Sequence, residues 1–204
     1  MNEFDIKAAE WDKNPMHWDR SAAIAKGIIA EIPLLPHFTA MEYGAGTGIL
    51  SFFLKDHLKE ILLLDNSAEM IRLTNEKILS SGAKNLKTKL FDLEHADLED
   101  EKFDLIFTQM VLHHVTDISS ILSRFKKLLN SGGYLAVADL YEEDGSFHGE
   151  GFTGHNGFNP ETLTSVLKCD GFKEISYRKC FVISRKIAEN QIKEFEVFLL
   201  TAHI

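Results

Sequence analysis

Short apolar runs alternate with longer amphipathic stretches through most of the chain. The runs are rich in Ile, Leu, Val and Phe, as are strands that are buried on both faces of a sheet. The stretches between them carry apolar residues at helical spacing. Strands that alternate with helices form βαβ units, so we expect these strands to be parallel. The five predicted strands cover residues 39–44, 60–66, 86–92, 103–109 and 134–141.

Capping residues mark the ends of the predicted helices. Ser67 and Gly82 are placed to begin and end one helix. Asp117 begins the next helix, and the Gly132–Gly133 pair is expected to end it. Asn159 is followed by proline, which favours the first turn of a helix. An earlier helix is predicted over residues 18–31, before the first strand.

The end of the chain has a different pattern. Two long β-like runs, 172–186 and 193–204, follow each other without a helix between them. Consecutive strands of this kind pair as an antiparallel hairpin, here at one edge of the sheet. The sequence therefore predicts one α/β domain over residues 1–204. Its sheet is doubly wound, seven-stranded and mostly parallel, with helices on both faces and an antiparallel C-terminal hairpin.

Composition narrows the class of protein. The net charge is −9, which argues against nucleic acid as a partner. No apolar run is long enough to insert into a membrane, and the N-terminus does not resemble a signal peptide, so we expect a cytoplasmic protein. Cys169 and Cys180 are the only cysteines, and we expect both to be reduced thiols.

The stretch "MEYGAGTGIL" places Gly44, Gly46 and Gly48 where the first strand turns into a helix. Ligands bind at such a turn in doubly wound sheets, and glycine lets them approach the backbone. A plain tight turn is the alternative. The dinucleotide fingerprint G-x-G-x-x-G requires a third glycine at the position of Ile49. A nicotinamide oxidoreductase is therefore the weakest functional hypothesis.

Acidic residues lie at or near the ends of three predicted strands. Glu42 precedes the glycines, and Asp65 ends the second strand about twenty residues further on. An acid at that position can accept hydrogen bonds from both ribose hydroxyls of an adenosine. Asp92 ends the third strand, where it could accept from an adenine amino group while Leu93 or Phe91 packs on the ring. Together with the glycine turn, these acids predict an adenosine-containing ligand.

The chain resembles the class I S-adenosylmethionine-dependent methyltransferases over about residues 38–184. The similar motifs are "MEYGAGTGIL", "LLLDNSAEMI", "LFDLEH", "FDLIFTQMVLHHVTD" and "LLNSGGYLAVADL". The "VLHHV" piece is similar to small-molecule enzymes of the ubiquinone and menaquinone methyltransferase type. One departure is "NSGG", where many relatives have a proline before the glycines.

This resemblance implies a Rossmann-like fold and S-adenosyl-L-methionine as cofactor, with S-adenosyl-L-homocysteine as product. It implies an in-line displacement in which an acceptor attacks the sulfonium methyl group. The resemblance also implies that an N-terminal cap, residues 1–37, folds over the cofactor with an aromatic residue near it. The implied cofactor-binding residues are Trp11, Glu42, Gly44, Ala45, Gly46, Gly48, Asp65, Asn66, Met70, Asp92, Leu93, Thr108 and Gln109.

Candidates for catalysis lie after the fourth and fifth predicted strands and in a glycine-rich, lid-like loop at 142–158. Any one of the histidines, taken singly, is better explained by packing or hydrogen bonding than by a role as a base. Their spacing along the chain matches no metal signature, so the sequence predicts no metal. The candidates are His113, His114, Tyr141, His148 and His155.

Three functions remain open from the sequence. The first is methyl transfer to a small-molecule acceptor, favoured by the acidic charge and by the absence of an appended recognition domain. The second is methyl transfer to a protein or RNA, and the third is a non-catalytic module that binds S-adenosylmethionine. The sequence leaves the choice between a monomer and a homodimer open.

Overall fold

A seven-stranded sheet forms the centre of the computed structural model, which describes residues 3–189 and 191–204. The order of strands across the sheet is 3-2-1-4-5-7-6. The first five strands are parallel, and the last two are antiparallel to their neighbours. The strands are β1 (Thr39–Tyr43), β2 (Glu60–Asp65), β3 (Leu86–Leu90), β4 (Phe103–Gln109), β5 (Leu129–Leu140), β6 (Lys173–Ala188) and β7 (Gln191–His203).

Six α-helices and two short 3₁₀ turns, at Lys55–His57 and Leu112–His114, connect these strands in the described part of the chain. The expected capping residues begin their helices: for example, the Ser67 side chain accepts a hydrogen bond from Met70 N at 3.2 Å. The helices are α1 (Glu3–Trp11), α2 (Pro15–Glu31), α3 (Ile49–Leu54), α4 (Ala68–Ser81), α5 (Ile118–Leu128) and α6 (Pro160–Cys169).

The order of strands reverses between β1 and β4, which are parallel neighbours. A crevice opens at such a switch point, beyond the carboxyl ends of the strands. The C-terminal hairpin forms the far edge of the sheet, with β7 between β5 and β6. The predicted fold class, including the antiparallel hairpin, is therefore confirmed.

Two predicted helix boundaries were wrong. Helix α5 ends at Leu128, and the Gly132–Gly133 pair lies inside β5 rather than at the end of the helix. The chain terminus pairs there, because Gly132 N donates to Ile204 O and Ile204 N donates to Gly133 O. The helix predicted to begin at residue 18 begins instead at Pro15, after Asn14 as N-cap.

Two apolar layers pack against the sheet, one on each face. Phe107 of β4 points into the layer formed with α2, α3 and part of α4. Its neighbour Ile106 points into the opposite layer, which contains Phe125 of α5 and Leu163 of α6. Alternation along a strand thus buries both faces, as the continuous apolar runs predicted. None of the described helices has the length and hydropathy to cross a membrane.

We predict that Gly48→Ala destabilises the protein more than Gly82→Ala. Both glycines have a left-handed backbone, with φ of +75° and +70°, which costs a side chain about 1–2 kcal/mol. At Gly48 a Cβ would also lie 2.7 Å from Leu63 Cδ2, whereas at Gly82 it would meet no atom within 4 Å. Overpacking should add about 1–3 kcal/mol. Urea unfolding of the two variants measures the difference, and equal losses would contradict this account.

Candidate functional site

The glycine turn between β1 and α3 places its three glycines in different surroundings. All three have positive φ, between 55° and 75°. A Cβ on Gly44 would lie 2.5 Å from Val111 Cγ2, and Gly48 is equally crowded. Gly46 differs, because a Cβ there would have only Met70 Sδ within reach, at 4.0 Å. The backbone at Gly46 therefore faces open space in which a ligand can approach it.

The Asp65 carboxylate connects the end of β2 to this turn. Its Oδ2 accepts from Gly46 N at 2.7 Å, and its Oδ1 accepts from Ser67 N at 2.8 Å. Burial raises the pKa of Asp65, while these backbone N–H donors act in the opposite direction. A carboxylate can accept about four hydrogen bonds, so the group has capacity for a hydroxyl of a ligand as well.

A narrow cavity of about 120 Å³ lies over the carboxyl ends of the central strands. Most of the residues predicted to bind the cofactor lie on its wall. These are Trp11, Gly44, Ala45, Gly46, Asp65, Asn66, Met70, Asp92, Leu93 and Gln109. The remaining wall residues are Phe4, Arg20, Tyr43, Phe91, Glu94, Met110, Val111, His114 and Val115.

Three predicted cofactor-binding residues lie behind this wall and support it. Glu42 is fully buried, and its Oε2 accepts from Ser51 N at 3.2 Å and from Ser51 Oγ at 2.5 Å. Gly48 is the N-cap residue of α3. Thr108 Oγ1 donates to Tyr43 O at 2.9 Å. These residues hold the glycine turn and the neighbouring strand ends in position without lining the cavity.

Arg20 of α2 is a site residue that was not predicted from the sequence. It is 5% exposed and lies on the wall of the cavity, and its Nε has no hydrogen-bond partner among the described residues. Burial lowers the pKa of Arg20 to about 10, while the charge of Asp139 acts in the opposite direction. A buried guanidinium that remains protonated at neutral pH is suited to binding a carboxylate. No local motif distinguishes this arginine from a surface residue of an amphipathic helix.

Helix α1 lies against the cavity and is held there by polar contacts. Asp5 Oδ1 accepts from Ser67 Oγ at 2.6 Å. Asp12, which follows the helix, accepts from Thr47 Oγ1 at 2.5 Å and forms an ion pair with Lys77. These contacts connect α1 to the glycine turn and to α4. They bring Phe4 and Trp11 to the wall.

The turn after β3 forms the opposite end of the cavity. Asp92 lies on the wall, but its carboxylate already accepts from Glu94 N at 3.0 Å and pairs with His95 Nδ1 at 2.9 Å. Phe91 and Leu93 flank it and supply apolar surface. The apolar surface that the sequence predicts for adenine is therefore present on the wall.

A second cavity of about 440 Å³ adjoins the first. Trp11, Arg20 and His114 line both cavities, and His113 and His148 line the second. Its charged lining residues are all cationic: among the described residues it contains Lys7, Arg20, Arg185 and Lys186 and no carboxylate. A chain with a net charge of −9 thus concentrates positive charge at this position.

His113 is the most deeply buried of the candidate catalytic residues. Its side chain is 2% exposed, and its Nδ1 lies 2.6 Å from Oδ1 of Asp139, which is fully buried near the end of β5. Because a carboxylate only accepts, this bond fixes the proton on Nδ1. The side chain of Asp139 also accepts from Leu140 N and His113 N. No local sequence pattern indicates this pair, because the two residues are 26 positions apart in the chain.

The 142–158 loop is anchored to the end of the sheet. His155 N donates to His113 O at 2.8 Å, and His155 Nε2 is hydrogen-bonded to Val115 O at 3.0 Å. His155 lines an adjoining cavity beyond His114 rather than the second cavity. Tyr141 lines none of these cavities and packs against Phe198, with 5.4 Å between ring centroids.

Comparison with known proteins identifies the family. A family model described as a methyltransferase domain matches residues 35–174. The chain therefore belongs to this family, and its fold and glycine turn are those of the class I S-adenosylmethionine-dependent methyltransferases. The expected cofactor of the family is S-adenosylmethionine.

Two individual relatives match smaller parts of this chain than the family model does. An uncharacterised methyltransferase of Schizosaccharomyces pombe is 29% identical over 63% of this chain, which spans 51% of that protein. A malonyl-[acyl-carrier protein] O-methyltransferase of Hamiltonella defensa is 32% identical over 49% of this chain and 37% of that protein. The chain thus spans about half or less of the length of these relatives.

A solved structure shares the fold at low identity. It is phosphoethanolamine N-methyltransferase 2 of Haemonchus contortus, in complex with phosphomonomethylethanolamine and S-adenosylhomocysteine. The TM-score is 0.71 at 15% identity, over 88% of this chain and 52% of that one. This similarity supports the fold alone.

We predict that Glu42→Gln changes the pH dependence of stability. Burial raises the pKa of Glu42 to about 8, against the opposing effect of the bonds from Ser51. The folded protein therefore binds a proton that the unfolded chain releases above its ordinary pKa of about 4.3. The wild-type free energy of unfolding should then fall as the pH rises from about 4 to 8.

Glutamine resembles the protonated acid, so the variant should lack this component of the slope. Its stability relative to wild type should rise by a few kcal/mol, on the order of 1.4 kcal/mol for each pH unit, over this interval. Urea unfolding at several pH values measures the difference. Glu60→Gln, at a more exposed position in β2, is the control. Parallel pH profiles for the wild type and Glu42→Gln would show that the carboxyl is not perturbed.

Proposed function

We propose that this protein transfers a methyl group from S-adenosylmethionine to a small anionic acceptor. One observation carries the proposal: Gly46, with open space before its backbone, and Asp65, hydrogen-bonded to it, share one wall of a cavity at the switch point of the sheet. Family membership is consistent with this assignment. A wall that presents the Gly46 backbone and the Asp65 carboxylate suits an adenosine with a charged tail.

The residues on the wall match the parts of the cofactor. The Asp65 carboxylate suits the ribose hydroxyls, and the apolar surface of Phe91 and Leu93 suits the adenine ring. The buried Arg20 guanidinium suits the methionine carboxylate. The Trp11 ring on α1 suits the sulfonium, because a cation is attracted to an aromatic face.

The bound cofactor supplies an electrophilic methyl group. The chain holds the reacting groups in line and excludes water from them. We assign exclusion of water to the N-terminal cap predicted at 1–37, whose first two residues lie outside the described part of the chain. Its helix α1 lines the cavity through Phe4 and Trp11. The present volume of about 120 Å³ is below the roughly 300–1,000 Å³ of small-molecule sites. We therefore expect α1 to move when the cofactor enters.

We assign the acceptor to the second cavity. Its volume of about 440 Å³ falls within the range for small molecules, which favours such an acceptor over a protein or an RNA. Its cationic lining favours an anionic group. His113, His114 and His148 are then the residues that meet the acceptor. His155 and Tyr141 act by holding the loop and the sheet edge.

Calorimetric titration tests the cofactor assignment. The wild type should bind S-adenosylmethionine and S-adenosylhomocysteine and should not bind NADH. Asp65→Asn and Arg20→Met each remove a charged hydrogen-bonding group, which is worth about 1.5–3 kcal/mol. Each should therefore weaken binding of S-adenosylhomocysteine by about 10- to 100-fold.

Arg72→Met is the matched control, because Arg72 is exposed on α4 and pairs with Glu69 and Glu76. It should bind S-adenosylhomocysteine as the wild type does. Failure of the wild type to bind either sulfur compound would overturn the proposed function. Unchanged affinity in Arg20→Met would remove that residue from the site.

Tryptophan fluorescence tests the position of α1. The chain contains two tryptophans, Trp11 on the cavity wall and Trp18, which is 36% exposed and packs against Phe53. Addition of S-adenosylhomocysteine should quench the wild-type emission. Trp18→Phe should keep the quench, and Trp11→Phe should lose it. A quench that survives in Trp11→Phe would show that the ligand does not contact Trp11.

A further inference from the structure

Three histidines from two distant parts of the chain meet at the wall of the second cavity. One potential ligand atom from each of His113, His114 and His148 lies within 4.8 Å of the other two. The ring centroids are 4.2 Å apart for the first two residues, and His148 lies 5.0 Å and 5.2 Å from them. Three imidazoles converging at one point are a donor set for a metal ion.

The orientation of His113 provides a second observation. Because Asp139 fixes the proton on Nδ1, the lone pair of this ring is on Nε2. Metal-binding histidines commonly donate their other N–H to a carboxylate in this way, which fixes the tautomer and makes the ligand more basic. Asp139 also places a negative charge behind the cluster, which partly offsets the nearby cations.

The position of His148 provides a third observation. Its ring stacks on Phe152, with 3.8 Å between centroids and 14° between planes. The loop that carries both residues is fixed to the turn at 112–114 by the hydrogen bond from His155 N to His113 O. Gly154 packs closely against the same turn, because a Cβ on Gly154 would lie 2.2 Å from His113 O. The fold therefore holds the third imidazole beside the other two.

We propose that His113, His114 and His148 form a site for a divalent transition-metal ion of the zinc type. Three imidazoles suit zinc and the later first-row metals, and three protein ligands leave a fourth position open, as in catalytic sites. The sequence predicted no metal because the linear spacing fits no known pattern. The fold assembles the site from an adjacent pair and a loop residue 34 positions further on.

The open position defines a ligand class, and this step rests on the proposed function. His114 lies on the walls of both cavities, so a ligand at the fourth position lies beside the cofactor site. The metal charge adds to those of Arg20 and Arg185, so an anionic donor is favoured. We assign the fourth position to the acceptor, which would bind through an anionic sulfur, such as a thiolate, or through an anionic oxygen. A protonated donor would release its proton to solvent on binding.

Metal titration tests the site directly. After treatment with a chelator, the full chain is titrated with Zn²⁺ in competition with a chromophoric chelator, and with Co²⁺ followed by visible absorption. We expect one tight equivalent of Zn²⁺ and the intense Co²⁺ bands of a four-coordinate site. His148→Gln should lose tight binding. Asp139→Asn should weaken Zn²⁺ binding by about 10- to 100-fold.

His57→Gln is the control, because His57 is exposed and outside the cluster; it should bind Zn²⁺ as the wild type does. Absence of Zn²⁺ binding by the wild type would overturn the proposal, whether or not the variants fold. Equal binding by His148→Gln would also overturn it, by assigning the metal to other histidines.

Titration of the same samples with S-adenosylhomocysteine separates the two proposals. Zn²⁺ binding without S-adenosylhomocysteine binding would leave the metal site standing and remove the proposed function. The reverse result would remove the metal site and leave the proposed function. Retained S-adenosylhomocysteine binding in His148→Gln would also show that this variant is folded.

Discussion

The hydrogen bond from Gly46 N to Asp65 Oδ2 is the contact on which the candidate site depends. It joins the turn after β1 to the end of β2 and so fixes the backbone that faces the cavity. A carboxylate taken from water is costly unless it is hydrogen-bonded, and here backbone N–H groups meet that requirement. The carboxylate still has acceptor capacity for a ligand. One residue thus both builds the turn and presents the polar group.

Helix α1 shows a different balance of forces. Among its described residues only Ala8 is buried, and Phe4 and Trp11 are partly buried. Polar contacts add to this attachment: Asp5 accepts from Ser67, the N-cap residue of α4, and Asp12 binds Thr47 of the glycine turn and Lys77 of α4. Partly exposed polar contacts of this kind are each worth little in water. An element attached in this way can open at low cost, which suits a cap over a site that has to admit a large cofactor.

The sequence allowed prediction of features whose signals are local. The strands, the glycine turn and Asp65 follow from patterns within a few residues, and the structure has all of them. The prediction that every strand is buried was wrong for β3, which is mostly exposed because it lies at the edge of the sheet. The Gly132–Gly133 pair was misread because its partner is Ile204, at the other end of the chain. Arg20 and Asp139 were missed because their importance comes from burial and from partners far away in sequence. Judged by residue type alone, an arginine and an aspartate are expected at the protein surface.

Asp139 connects the two halves of the site. Its charge favours the protonated form of Arg20, which lines both cavities. Its oxygen orients His113 on the wall of the second cavity. Each of these buried groups would be costly alone, and together they compensate one another. A change at Asp139 therefore acts on both cavities, although its own side chain lines neither. The two cavities share one buried electrostatic centre, and under the proposed function this centre lies between the acceptor and the charged end of the cofactor.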